Sequence, residues 1–171
     1  FRELAQLYEA FGQGRTSPLA ALPLQYADFA AWQQRGLESS RLAMARDYWK
    51  AQLQDAPRVL ELPTDFPRPS QPTAAGRTLF RTLPMSLSDA LRQFNHQEQT
   101  TLFVTLLSAF KVLLYSCTGQ DDLVVGTAVA QRDRTELEPL IGFFANTVAL
   151  RTHISGDLTF TEFLQRVQQV T

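Results

Sequence analysis

Ile141-Gly142-Phe143-Phe144-Ala145-Asn146-Thr147-Val148-Ala149-Leu150-Arg151 reads as a buried strand in which an amide, a hydroxyl and an arginine stand where apolar side chains would pack more easily. An amide withdrawn from water without a partner costs roughly 1–3 kcal/mol. Asn146 is therefore expected either to tie neighbouring backbone together or to face a cavity, and the residues alone leave both readings open. Gly142 has a physical reason to sit in a strand if another group approaches the backbone closely or the chain bends there. Arg151 either neutralises a carboxylate or ends in solvent.

Working outward, residues 123–130 form a β-branched run suited to a central strand. The turn Gly119-Gln120-Asp121-Asp122 precedes it. Its two acids are expected to close the turn; with no further ligands nearby in sequence, no metal site is expected. Before it, Thr100 or Thr101 caps a long apolar helix to about Cys117, expected in the interior because it is apolar on most sides. Ser86-Leu87-Ser88-Asp89 opens a helix to about Gln97 with a Ser/Asp start, and residues 77–84 alternate like a strand. On the other side, residues 136–141 give a short helical or turn segment. Thr159 or Thr161 starts a last amphipathic helix carrying Phe160, Phe163, Leu164 and Val167.

The first third is helical. Leu4, Leu7, Tyr8 and Phe11 recur at helical spacing, and Gly12-Gln13-Gly14 ends that helix, whose opening residue has no cap of its own. After a loop over residues 16–23, Tyr26, Phe29, Ala30 and Gln33 keep a helical period with Gly36 as stop. A second helix over residues 40–53 presents Leu42, Ala45, Tyr48, Trp49 and Leu53, and the two are expected to pair. Prolines 57, 63, 67, 69 and 72 then forbid regular ladders or helices, so residues 56–76 should form an extended strap. Val59, Leu60, Leu62 and Phe66 should pack it down. The architecture expected is α/β, with layered helices on a mixed sheet, incomplete at both ends.

A chain of 171 residues can bury about 70% of its unfolded surface. Its net charge of −1 comes from interspersed acids and bases, so neither nucleic acid nor an anionic membrane is expected as a partner. The longest apolar runs fall short of the roughly 20 residues a membrane helix needs. Cys117 is the only cysteine; it excludes an internal disulfide, should pack as a small apolar residue, and suits a reducing cytoplasm. The chain begins with Phe, shows no signal-peptide pattern, and is expected to start inside a longer polypeptide.

Chemistry is sparse. His96 lies at the polar end of a helix and His153 just past the 141–151 strand, and both are expected at the surface without a Ser or Cys partner. There is no Gly-x-Ser-x-Gly elbow, no His-Glu-x-x-His, no Gly-x-Gly-x-x-Gly and no phosphate-binding loop. No catalytic set can be assembled from these residues.

Several separated motifs nevertheless resemble, in order, one family. Leu24-Gln25-Tyr26-Ala27-Asp28-Phe29-Ala30-Ala31-Trp32-Gln33, Tyr48-Trp49, Leu60-Glu61-Leu62-Pro63-Thr64-Asp65 with Pro67-Arg68-Pro69, Thr101-Leu102-Phe103 with Leu106-Leu107, Thr118-Gly119-Gln120-Asp121-Asp122, Val125-Gly126-Thr127 with Arg132, and the 141–151 segment are similar to the condensation domains of non-ribosomal peptide synthetases. The resemblance spans essentially the whole chain.

It implies a chloramphenicol-acetyltransferase-like fold of two lobes, with a tunnel that admits two phosphopantetheine arms. The amine on the acceptor arm attacks the thioester on the donor arm. The chain would then hold the trailing helix of the first lobe over residues 1–21 and an incomplete second lobe over residues 22–171. No cofactor would be bound directly; the phosphopantetheine arms enter as substrates. Peptidyl carrier proteins and the remainder of the domain would be partners. The family's His-His-x-x-x-Asp-Gly motif is absent from these residues, so the resemblance places no catalytic residue here and implies that the chain alone is inactive.

By resemblance, Gly126, Thr127, Asn146 and Arg151 would line the channel, while Tyr26, Asp28, Trp32 and Gly142 would be structural. Phe29 stands where the family often has Tyr, Ala145 where Val is usual and Ala128 where Pro is common. Relatives of the same fold that epimerise, heterocyclise or use acyl-CoA remain alternatives, as does a non-catalytic carrier-docking module.

Overall fold

Thr101 and Gly119 bracket the longest helix. The Thr101 hydroxyl accepts from the Val104 amide at 3.3 Å, and Gly119 takes the left-handed conformation (φ 69°) at the other end, where a side chain would be strained. The computed structural model describes residues 1–36, 40–67, 69–71, 73 and 75–171; Arg68 and Pro72 of the motifs above lie outside the described residues. The order is α1 (Arg2–Gly12), α2 (Tyr26–Gly36), α3 (Ser40–Gln52), α4 (Met85–Gln97), α5 (Leu102–Thr118), β1 (Asp122–Ala130), a 3-10 turn (Thr135–Leu137), β2 (Ala145–His153) and α6 (Phe160–Gln169).

The chain divides into two compact units, one of Phe1–Tyr48 with Ala128–Asn146 and one of Trp49–Thr127 with Thr147–Thr171. These units cut the sequence differently from a division into residues 1–21 and 22–171. Among the described residues the sheet consists of β1 paired with β2. Amide bonds from Ile154 to the Asp121 carbonyl (2.8 Å) and from Gln131 to the Phe144 carbonyl (3.0 Å) close the two ends of an antiparallel ladder.

In the second unit α5 packs against α4 and α6. Val104, Leu107 and Leu114 of α5 meet Leu123 of β1, Leu150 of β2, Ile154 beyond it, and Phe163, Leu164 and Val167 of α6 in one core. Positions 163, 164 and 167 fall on one helical face, so α6 buries a stripe. Thr159 starts α6 with a full capping box to Glu162. The first unit is smaller: Phe29, Leu137, Leu140 and Phe144 form its buried cluster.

Several expectations are corrected. Residues 141–144 are not strand; the ladder begins at Ala145, with Ile141 88% and Phe143 78% exposed. Residues 77–84 alternate correctly but form no ladder among the described residues, and Leu79 and Phe80 stay exposed, because alternation specifies faces and not a partner. The opening of α4 is Pro84 without a side-chain cap; the Ser88 hydroxyl donates instead to the Pro84 carbonyl at 3.2 Å. One face of α5 is buried, whereas Leu102, Leu106, Phe110 and Leu113 remain exposed. Cys117 is exposed rather than packed. Among the described residues the strap is held near its start, where Leu60 joins the core and the Gln120 amide accepts from the Glu61 amide (2.8 Å) and donates to the Val59 carbonyl (3.1 Å). Leu62 and Phe66 beyond it are exposed, as are Leu42 and Tyr48 of α3.

Candidate functional site

In the first unit, Tyr26 is the first residue of α2 and sits against Gly142. A Cβ at position 142 would overlap the Tyr26 ring, and the Tyr26 hydroxyl donates to the Phe143 carbonyl at 2.9 Å. This pair takes the backbone of residues 142–143 out of any ladder, which is why the strand starts late and Ile141 and Phe143 face outward. Tyr26 meets Phe144 edge-on at 5.3 Å, and Phe29 lies 4.7 Å from the same ring. The Phe29 ring is buried in a cluster with Leu137, Leu140 and Phe144. Asp28 caps: its carboxylate accepts from the Gln25 amide at 2.8 Å, satisfying one of the amides a helix start leaves open.

Arg132 organises the loop before β2. One guanidinium nitrogen, NH1, lies 2.8, 2.8 and 2.9 Å from the carbonyls of Leu137, Glu138 and Leu140. The guanidinium also lies 4.2 Å from the Phe144 ring centroid, a cation–π distance. Arg134 stands 5.9 Å over the half-exposed Trp32.

These elements enclose a groove of about 920 Å³ whose lining includes Phe29, Trp32, Gln33, Gln131 and Asn146. Asn146 is exposed on β2 and not buried, and it is among the residues that line this groove. Arg35 and Asp133 add one charge of each sign. Two rings and three amides, each amide able to donate and accept, make a surface for a neutral, amide-bearing ligand. Below Trp32, a smaller cavity of about 310 Å³ is lined by Asp28, Arg35, Arg134 and Glu136 with apolar neighbours.

The second unit holds Gly126, Thr127 and Arg151. Gly126 is exposed and Thr127 half-buried on β1, and a Cβ at Gly126 would sit 3.4 Å from Thr147 Cγ2 across the ladder. Arg151 neutralises a carboxylate. Its Nε and NH2 engage Asp122 at 2.9 and 2.7 Å, and its NH1 donates to the Gln52 and Gln54 carbonyls at 3.0 and 2.7 Å. Asp122 therefore belongs to a fork-shaped ion pair at the start of β1, not to a turn closure. The Arg151 hydrogen bonds hold the Asp122 carboxyl below its ordinary range, with the His153 and Lys111 charges adding to them. His153 is exposed, 3.7 Å from Asp122, and His96 is exposed at the end of α4.

Two residues escaped sequence reasoning. Arg132 carried no signal beyond its place in a motif. Lys111 is wholly buried, donating to the Leu150 carbonyl at 2.8 Å and the Thr152 hydroxyl at 2.7 Å. Burial lowers its pKa to about 8, against the opposing pull of Asp122. A signal existed: 111 falls in the row 104, 107, 111, 114, the helical spacing of one face.

Helices layer on an antiparallel ladder, and no cluster of three metal-ligating side chains occurs among the described residues. The family model for the condensation domain matches residues 1–171, and the chain belongs to that family. It is 44% identical over 99% of its length to malpinin synthetase of Mortierella alpina, and 43% identical over 98% to phosphinothricin tripeptide synthetase PhsC of Streptomyces viridochromogenes. It spans 2% and 16% of those proteins. Among solved structures, the X-domain from teicoplanin biosynthesis matches with a TM-score of 0.91 and 32% identity, over 99% of this chain and 39% of that one. The fold is the chloramphenicol-acetyltransferase-like fold of condensation domains.

Proposed function

We propose that this chain is the end of the first lobe and much of the second lobe of a condensation domain that joins a carrier-bound aminoacyl or peptidyl thioester to a carrier-bound acceptor amine. The amine nitrogen attacks the thioester carbonyl carbon; the C–N bond forms, the C–S bond breaks, and the thiol leaves with the amine's proton. The chain supplies a wall of the passage and no acid or base, since His96 and His153 stand apart in sequence and at the surface. Phosphopantetheine arms are the expected ligands, peptidyl carrier proteins the partners, and antibiotic-type peptides in the cytoplasm the setting.

The observation that carries this reading is the groove of Phe29, Trp32, Gln33, Gln131 and Asn146. A pantetheine arm is neutral along most of its length and carries two amides, which matches that lining. Gly126 and Thr127 are read as a second stretch of wall, where a missing Cβ leaves room for an arm.

The test uses the complete polypeptide with donor and acceptor carriers loaded with defined aminoacyl groups. Dipeptide on the acceptor carrier, seen by intact-mass spectrometry, is the expected result. Trp32→Ala and Asn146→Ala should each lower its rate roughly tenfold, as loss of a positioning contact does. A folded protein that binds both carriers and forms no amide would overturn the reading in favour of a docking module.

A further inference from the structure

Lys111 is the only charged residue of α5 and stands in that helix's buried row with Val104, Leu107, Ser108 and Leu114. A core position facing apolar neighbours is filled at lower cost by Leu or Met, since an ammonium must be stripped of water to enter it. Packing therefore supplies no reason for a lysine. What lysine does there is donate to two fixed acceptors two residues apart on one strand, the Leu150 carbonyl and the Thr152 hydroxyl, which sets β2 against α5 at a single register. Arg151, between those acceptors, is held by Asp122 of β1 and by the carbonyls of Gln52 and Gln54. Three consecutive residues of β2 are thus fixed from two sides by two cations. The same strand presents Thr147 to Gly126.

We propose that Lys111 is a positioning residue for amide formation: its ammonium locks β2 to α5 so that the Thr147 side of the strand holds its spacing from Gly126 and Thr127. This rests on the reading of Gly126 and Thr127 as channel wall. Placement of the reacting groups, which sets kcat, would feel a shift of this strand.

The experiment measures kcat and KM for the acceptor carrier in the complete polypeptide, normalised to folded protein by near-ultraviolet circular dichroism. For Lys111→Met, kcat should fall about tenfold while KM stays within about twofold, the signature of lost alignment. Thr152→Val should lower kcat several-fold and Thr152→Ser should restore it. A purely structural lysine would lower the folded fraction and leave kcat per folded molecule unchanged; that result overturns the inference. If Lys111→Met does not fold, the Thr152 pair decides by the same criterion. A wild-type protein that forms no amide overturns the proposed function, and this inference with it, whereas an active wild type with unaffected variants overturns only the inference.

Discussion

The two compact units are held together by different chemistry. The second buries an aliphatic and aromatic core beneath α4, α5 and α6 and threads it with a buried lysine and a nearly buried Arg151–Asp122 pair, whose side chains are 15% and 14% exposed. The first has only a four-residue cluster, and builds the rest from ring contacts, the Tyr26–Gly142 approach and one arginine holding three carbonyls. Area dominates one unit and directional contacts the other. A body that stacks helix faces fills its own concavities. One that braces loops around a few rings leaves them open, as the groove beside Trp32 and the smaller cavity below it do in the first unit.

The contrast is broken most directly at Phe163, which is 1% exposed. Phe163→Ala should destabilise the second unit by about 3–5 kcal/mol, read by denaturant titration. In the first unit, Gly142→Ala drives a methyl into the Tyr26 ring and should cost about 1–3 kcal/mol as an overpacking change. Hydrogen exchange should localise that damage to residues 26–32 and 137–144. Equal costs for the two substitutions would mean that the small cluster is as cooperative as the large core.

What was legible in the sequence follows the same line. Local signals read well: a cap at Thr100 or Thr101, of which Thr101 is the one used, the end of α5 near Cys117 ahead of the Gly119 turn, and the Phe163, Leu164, Val167 stripe. Long-range signals did not. Nothing in residues 77–84 says what pairs with them. Nothing in 141–144 says that a tyrosine more than a hundred residues earlier will claim the Phe143 carbonyl. Ser86 and Asp89 look like a helix start because cap residues are recognised by type, but Pro84 begins α4. Asn146 is expected to face a cavity or tie backbone, and its groove depends on Trp32 and Gln131, which no spacing argument joins to it.

The buried charges sharpen the comparison through pH, each making stability rise with pH but in a different window. Lys111 titrates near about 8 when folded and near 10.5 when unfolded. Between these values the unfolded chain binds the extra proton, so stability rises with pH across that window. Lys111→Met should abolish the rise. Asp122 is depressed below 3.8; its contribution is present above 3.8 and lost as pH falls through the folded value, and Asp122→Asn should flatten that acid limb. Denaturation midpoints at intervals from pH 2 to 11 check both. The first unit has no comparably buried charged pair among the described residues and should contribute little to either slope.

The smallest effects come from the helix starts, and they separate a used cap from an unused one. Thr159 accepts from the Glu162 amide while the Glu162 carboxylate accepts from the Thr159 amide at 2.8 Å. That reciprocal pair is complete, so Thr159→Ala should cost about 1 kcal/mol. Ser88 is in the first turn of α4, and its hydroxyl merely bonds back to a carbonyl of its own helix, a bond that competes with rather than completes the helix start. Ser88→Ala should therefore stay within about 0.5 kcal/mol. If Ser88→Ala cost as much as Thr159→Ala in the same titration, α4 would be capped by its serine after all, and the Pro84 start would be the wrong description of how that helix begins.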